Sequence, residues 1–172
     1  DGSAAPPGKR GEIVVVPQRP GMTMVGYYRE PEKTRDMLRP DGVHTGDLGY
    51  MDENGWLFFS GRLKDSLRRR GENISAWEVE RVVAQHPSVE DCAVLGVPSE
   101  LGDDEVKLFV KVADGQDLDA PRLHAWCKTR LARFQLPRFI QFVAEFPGGP
   151  THRIEKAGVP HDPNPWDSEA AS

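Results

Sequence analysis

Charged side chains and glycines recur together in three stretches of this sequence, each with a spacing that could serve chemistry. The longest opens with Gly61-Arg62-Leu63-Lys64-Asp65, passes through Arg68-Arg69-Arg70 to Gly71-Glu72, and ends in Glu78-Val79-Glu80. The second, His44-Thr45-Gly46-Asp47-Leu48-Gly49, sets a carboxylate beside a glycine, so Asp47 is expected to project from the end of a tight loop. The third, Pro147 to Lys156, carries Arg153 and Lys156 after a run of proline and glycine. A cation in such a loop can meet developing negative charge, and a carboxylate can accept two hydrogen bonds at once. Spacing alone also fits plainer readings. A basic run is ordinarily a solvated hairpin, and Thr-Gly-Asp is ordinarily a turn whose Asp bonds its own backbone. His44 has no nucleophile near it in sequence and reads as a packing or hydrogen-bonding residue.

The elements that must hold these stretches follow from pattern. Glu12–Val16 is β-branched and stopped by Pro17, which predicts a strand. A short helix is expected from Pro31 to Leu38, and Asn54-Gly55 marks a hairpin turn before a strand over Trp56–Ser60. Around Gly71 the pattern predicts a strand pair feeding a helix. Ser75 and Glu78 form a capping box, Ile74 and Val79 a hydrophobic staple, and Val79, Val82 and Val83 recur at helical spacing. Val89–Val97 reads as a buried strand, whereas Val106–Val112 alternates apolar residues with lysine as a half-exposed one. Asp119 caps a helix with Pro121 in its first turn and a stripe of Leu123, Trp126, Cys127 and Leu131. Phe139–Phe146 is a third strand. Alternation of helix and strand after residue 66 implies a compact α+β domain, and the segment from His161 onward reads as a disordered tail.

Composition narrows the function classes. A net charge of −5 argues against generic nucleic-acid binding, which wants a strongly basic face. The run Arg68-Arg69-Arg70 is too short to overturn this, though it could meet one phosphate-bearing ligand. Cys92 and Cys127 have no CxxC spacing and no histidine partner pattern, so neither a metal site nor a disulfide framework is indicated. No signal peptide or membrane-length apolar run is present, and a cytoplasmic location is expected. The chain opens at Asp1-Gly2 without an initiator methionine, which reads as a fragment, with processing or expression design, either of which gives the same start, as the alternatives.

Gly61-Arg62-x-Lys64-Asp65, with Arg70-Gly71-Glu72-Asn73-Ile74 and Glu78-Val79-Glu80, resembles the linker and first loop of the C-terminal domain of adenylate-forming enzymes. These are the acyl-CoA synthetases, peptide-synthetase adenylation domains and luciferases. The GEIVV and MVGYY segments resemble the end of the large N-terminal domain of that family. The resemblance implies a small C-terminal α+β domain with a three-stranded mixed sheet and flanking helices, preceded by a β-rich remnant of the large domain. Residues 1–60 would be that remnant, 61–65 a hinge, 66–160 the mobile domain and 161–172 the tail. By position, Asp47 and Arg62 would bind the ribose of the nucleotide, Lys64 would be the hinge, and Gly71 and Glu72 would lie in the loop serving CoA and thioester formation. The family's closing segment carries a Thr-Gly-Lys whose lysine bridges the substrate carboxylate and the α-phosphate. Here His152 and Arg153 stand at the glycine and lysine positions. Arg153 keeps the charge in a planar fork instead of a compact ammonium, Lys156 is the alternative donor, and a protein that adenylates poorly is the third reading.

The implied activity is activation of a small carboxylic acid with ATP to acyl-AMP, then acyl transfer to CoA. ATP and CoA would be substrates. The Mg2+ site, the phosphate-cradling Gly/Ser/Thr-rich loop and most of the acyl pocket are expected in the large N-terminal domain, so this chain alone is expected to be inactive. RRRGENISAWEVE is similar to crotonobetaine/carnitine-type CoA ligases. Two other readings stand beside this one: an adenylation domain that loads a carrier-protein pantetheine, and a non-catalytic module that binds a nucleotide or a partner protein.

Overall fold

A computed structural model of the chain describes residues 3–99, 102–148 and 154–170. The chain divides into two compact units, Asp1–Lys64 and Asp65–Ser172.

The first unit contains β1 (Gly11–Val15), α1 (Pro31–Met37), β2 (Leu38–Arg39), β3 (Gly42–Met51) and β4 (Leu57–Arg62). The long β3 pairs antiparallel with β1, β2 and β4. Asp52 shapes the β3–β4 turn, its Oδ1 accepting from the amides of Asn54 and Trp56, while Gly55 takes φ +84°. Thr45-Gly46-Asp47 corrects the sequence expectation: it lies inside β3, not at a loop end. Strands on both sides hold it there, and the glycine is absorbed as a bulge. Glu12 faces Leu48 and Val14 faces His44, so Ile13 alone opposes three residues, with Gly46 at φ +70°. Leu48 is the only hydrophobic residue of this unit in the buried core, among the described residues.

The second unit begins with the 3₁₀ turn Leu63–Asp65, which crosses the division, and continues through β5 (Ser66–Arg69) and β6 (Glu72–Ser75). Arg70 and Gly71 link these strands at φ +52° and +83°, a two-residue hairpin loop whose left-handed backbone suits strand twist. α2 (Ala76–Val83) starts at Ser75, whose Oγ accepts from the Glu78 amide, and it buries Ala76, Val79 and Val83. β7 (Val89–Pro98), β8 (Asp104–Val112), α3 (Ala120–Lys128) and β9 (Phe139–Phe142) follow. β7 and β8 are antiparallel, and α3 is the crossover that lets β9 lie parallel to β8. The Asp119 carboxylate caps α3 through the Arg122 amide, satisfying one of the helix's unpaired donors.

Two expectations fail in this unit for one reason. Residues 161–170 are not a disordered tail. Trp166–Asp167 form β10, which extends the sheet antiparallel to β9 and makes it four-stranded, in the order β10-β9-β8-β7. Trp166 packs on the main core and meets the His124 ring. β8 is not half-exposed either: Val106, Leu108 and Val110 face the main core, and Phe109 joins Ala93 and Val159 in a second cluster. The closing segment supplies that second cover. Even Lys107 is buried, its amine donating to the Asp162 carbonyl and lying over the Phe109 ring. Beside it, Arg69 and Glu105 form a buried ion pair at 2.6 Å, and Arg69 also donates to the carbonyls of Phe134 and Leu136. Those added bonds offset part of the desolvation of the pair, while Arg69 Nε and Glu105 Oε2 have no hydrogen bond among the described residues.

Candidate functional site

Asp47 and Arg62 are brought together by strand register, being directly paired residues of β3 and β4. Arg62 Nε lies 3.1 Å from Asp47 Oδ1. This ion pair lacks hydrogen-bond alignment, so Oδ1 is buried without a hydrogen bond among the described residues. A buried carboxylate oxygen in that condition favours an incoming donor, and a guanidinium beside it supplies a further donor set.

The bulge that aims Asp47 is built by Thr45 of the same motif and by Glu12, which the sequence did not single out. Glu12 Oε1 accepts from the Gly46 amide at 3.1 Å, and Thr45 Oγ1 both donates to the Ile13 carbonyl and accepts from the Asp47 amide. The other Glu12 oxygen pairs with His44 Nδ1 at 2.8 Å, while His44 Nε2 meets Asp41 at 3.1 Å. Burial pushes the Glu12 carboxyl up, but its bonds to His44 and the Gly46 amide outweigh this and hold it below the ordinary value. The bonds to Glu12 and Asp41 raise His44 above its ordinary value. His44 thus braces the strand beside Asp47. The signal for Glu12 was invisible locally because its partners lie 32 and 34 residues away.

Lys64 sits in the 3₁₀ turn at the division between the units, exposed to solvent. Gly71 occupies the tip of the β5–β6 hairpin and Glu72 opens β6, both exposed. Arg153 lies outside the described residues. Lys156 opens a 3₁₀ turn, and its amine stands 2.7 Å from Glu80 Oε1 and 3.7 Å from Asp65 Oδ2. The flanking chain is pinned as well: Gly148 bridges to Ile154, and the Glu155 amide donates to the Pro147 carbonyl.

The two thiols offer no nucleophile. Burial pushes Cys92 up to about 12 and Cys127 to about 11. Among the described residues no three His, Cys, Asp or Glu side chains group to hold a metal ion. No described helix is long and apolar enough to cross a membrane.

The family model named AMP-binding enzyme C-terminal domain matches residues 78–152. The chain is 38% identical to the crotonobetaine/carnitine–CoA ligase of Proteus mirabilis, an alignment covering 88% of this chain and 29% of that relative. It therefore spans under a third of the length of such curated relatives. Among solved structures it is similar to the amide bond synthetase McbA from Marinactinospora thermotolerans, with 37% identity, a TM-score of 0.78 and coverage of 90% of this chain and 31% of that one. It is also similar to o-succinylbenzoate-CoA synthetase from Bacillus subtilis in complex with its acyl-adenylate intermediate, at 25% identity and a TM-score of 0.85, covering 96% of this chain and 33% of the other. By these similarities, residues 78–152 match an AMP-binding enzyme C-terminal domain, and the chain is similar to the C-terminal portion of CoA ligases and other adenylate-forming enzymes.

Proposed function

We propose that this chain is the C-terminal part of a cytoplasmic AMP-forming acyl-CoA synthetase, which activates a small carboxylic acid with ATP and passes the acyl group to CoA. The observation that carries this is the Asp47–Arg62 pair, whose buried carboxylate oxygen has an ion-pair partner but no hydrogen bond. Vicinal ribose hydroxyls would donate to Asp47, with Arg62 fixing the same edge of the sugar. Arg153, at the position of the family's lysine, would hold the carboxylate and α-phosphate oxygens as charge shifts between them. Mg2+, the phosphate loop and the acyl pocket would be supplied by the large domain of a longer parent. Gly71 and Glu72, at the hairpin tip, would face the thiol acceptor after the small unit turns about Lys64. Free CoA is favoured over a carrier-protein pantetheine because the similar curated relatives are named as CoA ligases.

Paired assays test this reading. The full-length enzyme should exchange pyrophosphate into ATP with its carboxylic acid and then consume free CoA, while the 172-residue chain alone does neither. Exchange by the isolated chain would refute the division of labour. A full-length enzyme that exchanges pyrophosphate but acylates only a carrier protein would move the acceptor to pantetheine. Arg153→Ala should slow exchange by about a hundredfold or more, the usual loss for a donor aimed at developing charge. Undiminished exchange would remove Arg153 from the mechanism.

A further inference from the structure

β7 is the edge strand of the four-stranded sheet, so part of its backbone lacks a strand partner. Unpaired edge groups need other partners or water. At Val94 two charged side chains supply them. Glu80 Oε1, projecting from α2, accepts from the Val94 amide at 2.7 Å, and the Lys156 amine donates to the Val94 carbonyl at 3.4 Å. The same two groups pair with each other at 2.7 Å, and both side chains are about four-fifths buried, being 21% and 19% exposed. Asp65, the residue after Lys64, completes the cluster at 3.7 Å from the lysine. One ammonium therefore joins the closing segment, α2, the β7 edge and the start of the second unit.

We propose that Glu80 and Lys156 form a latch that positions the closing segment for acyl-adenylate formation, which makes Lys156 a positioning residue and not a donor to substrate. This rests on the function proposed above. The geometry argues for it in two ways. The lysine's amine is committed to a carboxylate, a second carboxylate and a carbonyl, so using it on substrate would strand the largely buried Glu80. Lys156 also lies two residues beyond Ile154, which is bridged to Gly148. The latch and the bridge therefore hold the described residues on either side of Arg153 in sequence.

Hydrogen exchange on the 172-residue chain tests the latch without any reference to activity. Glu80→Gln keeps an acceptor for the Val94 amide but removes the charge that holds Lys156. Exchange should then rise about tenfold or more at Glu155 and Gly158, with Val94 and the β8 amides still protected. Lys156→Met should reproduce that pattern, and Lys156→Arg should restore protection. Unchanged exchange at Glu155 and Gly158, or an equal rise throughout β8, would overturn the latch. In the full-length enzyme, Glu80→Gln should lower the rate constant for acyl-AMP formation about tenfold, with little change in the KM for ATP and with transfer from preformed acyl-AMP intact. Equal loss in both half-reactions would overturn the positioning role. A wild-type enzyme that forms no acyl-AMP would refute the proposed activity and this catalytic consequence, whereas the exchange experiment judges the latch by itself.

Discussion

Asp47 owes its condition to its neighbours more than to its type. A carboxylate on an ordinary strand would find water, but the bulge at Gly46 and the pairing with β4 leave Oδ1 buried beside Arg62. Replacing Asp47 with Ala in the full-length enzyme should weaken AMP binding about tenfold or more, since a hydrogen bond to a charged group contributes about 1.5–3 kcal/mol. An unchanged AMP dissociation constant would remove the ribose assignment. The bracing network around this residue also carries a pH signature. His44 is raised from 6.5 by its bonds to Glu12 and Asp41, so its contribution is complete below 6.5 and fades as pH climbs through the raised value. Glu12 is lowered from 4.5, so its contribution is present above 4.5 and is lost as pH falls through the lowered value. The brace is therefore fullest between those two ordinary values. An NMR titration of the His44 ring should show a midpoint above 6.5 that moves down in Glu12→Gln. A midpoint at or below 6.5 in the wild type would contradict the network.

At the scale of elements, the closing segment does more than its composition advertises. It covers the second face of β8 and extends the sheet through β10. Trp166→Ala should lower the stability of the 172-residue chain by about 2 kcal/mol or more, given its partial burial on the core. Deleting residues 161–172 should cost more, because β9 would lose its β10 partner, the core its Trp166 packing, and the Phe109 ring its His161 contact. Urea unfolding would measure both, and a deletion as stable as the parent would show the segment to be merely adherent. This segment also marks the limit of what sequence could reveal. Ser75, Asp119, Asn54-Gly55 and Gly71 announced their caps and turns because such signals act over a few residues. The cover of β8 is non-local: HDPNPWDSEAAS has one large apolar residue, and its partner strand lies some way back in the chain. Lysines at alternate positions of β8 suggested a solvated face, yet Lys107 is sheltered by that cover. The candidate site divides in the same manner. Asp47, Arg62, Thr45 and Glu80 were legible as motif positions, but Glu12 and the pairing of Glu80 with Lys156 enter through contacts distant in sequence.

The whole molecule is two units of unequal self-sufficiency. The second has a continuous core running from Leu67 to Ile140. The first buries little, and Val25, Tyr28 and Trp56 are 96%, 83% and 70% exposed. An apolar surface of that kind ordinarily meets another protein surface, which fits its proposed place at the end of a larger domain. The division between the units falls after Lys64, inside the turn Leu63–Asp65. If the second unit turns there between half-reactions, a very few backbone torsions must absorb the rotation. Lys64 suits a test because its side chain is exposed, so substitution acts through the backbone alone. Proline holds φ at about −65°, close to what a 3₁₀ turn adopts, and it restricts the preceding residue too. Lys64→Pro should therefore fit the turn at residue 64 at some cost to Leu63, whose helical backbone a following proline disfavours, while opposing the turn's rearrangement. In the full-length enzyme, acyl-AMP formation should persist within a few-fold, while thioester formation from preformed acyl-AMP should fall by about two orders of magnitude, the scale of loss when reacting groups are misplaced. Lys64→Ala, which leaves φ free, should retain most of both steps. Equal loss in the two half-reactions of Lys64→Pro, or an alanine variant as impaired in transfer as the proline one, would place the pivot elsewhere.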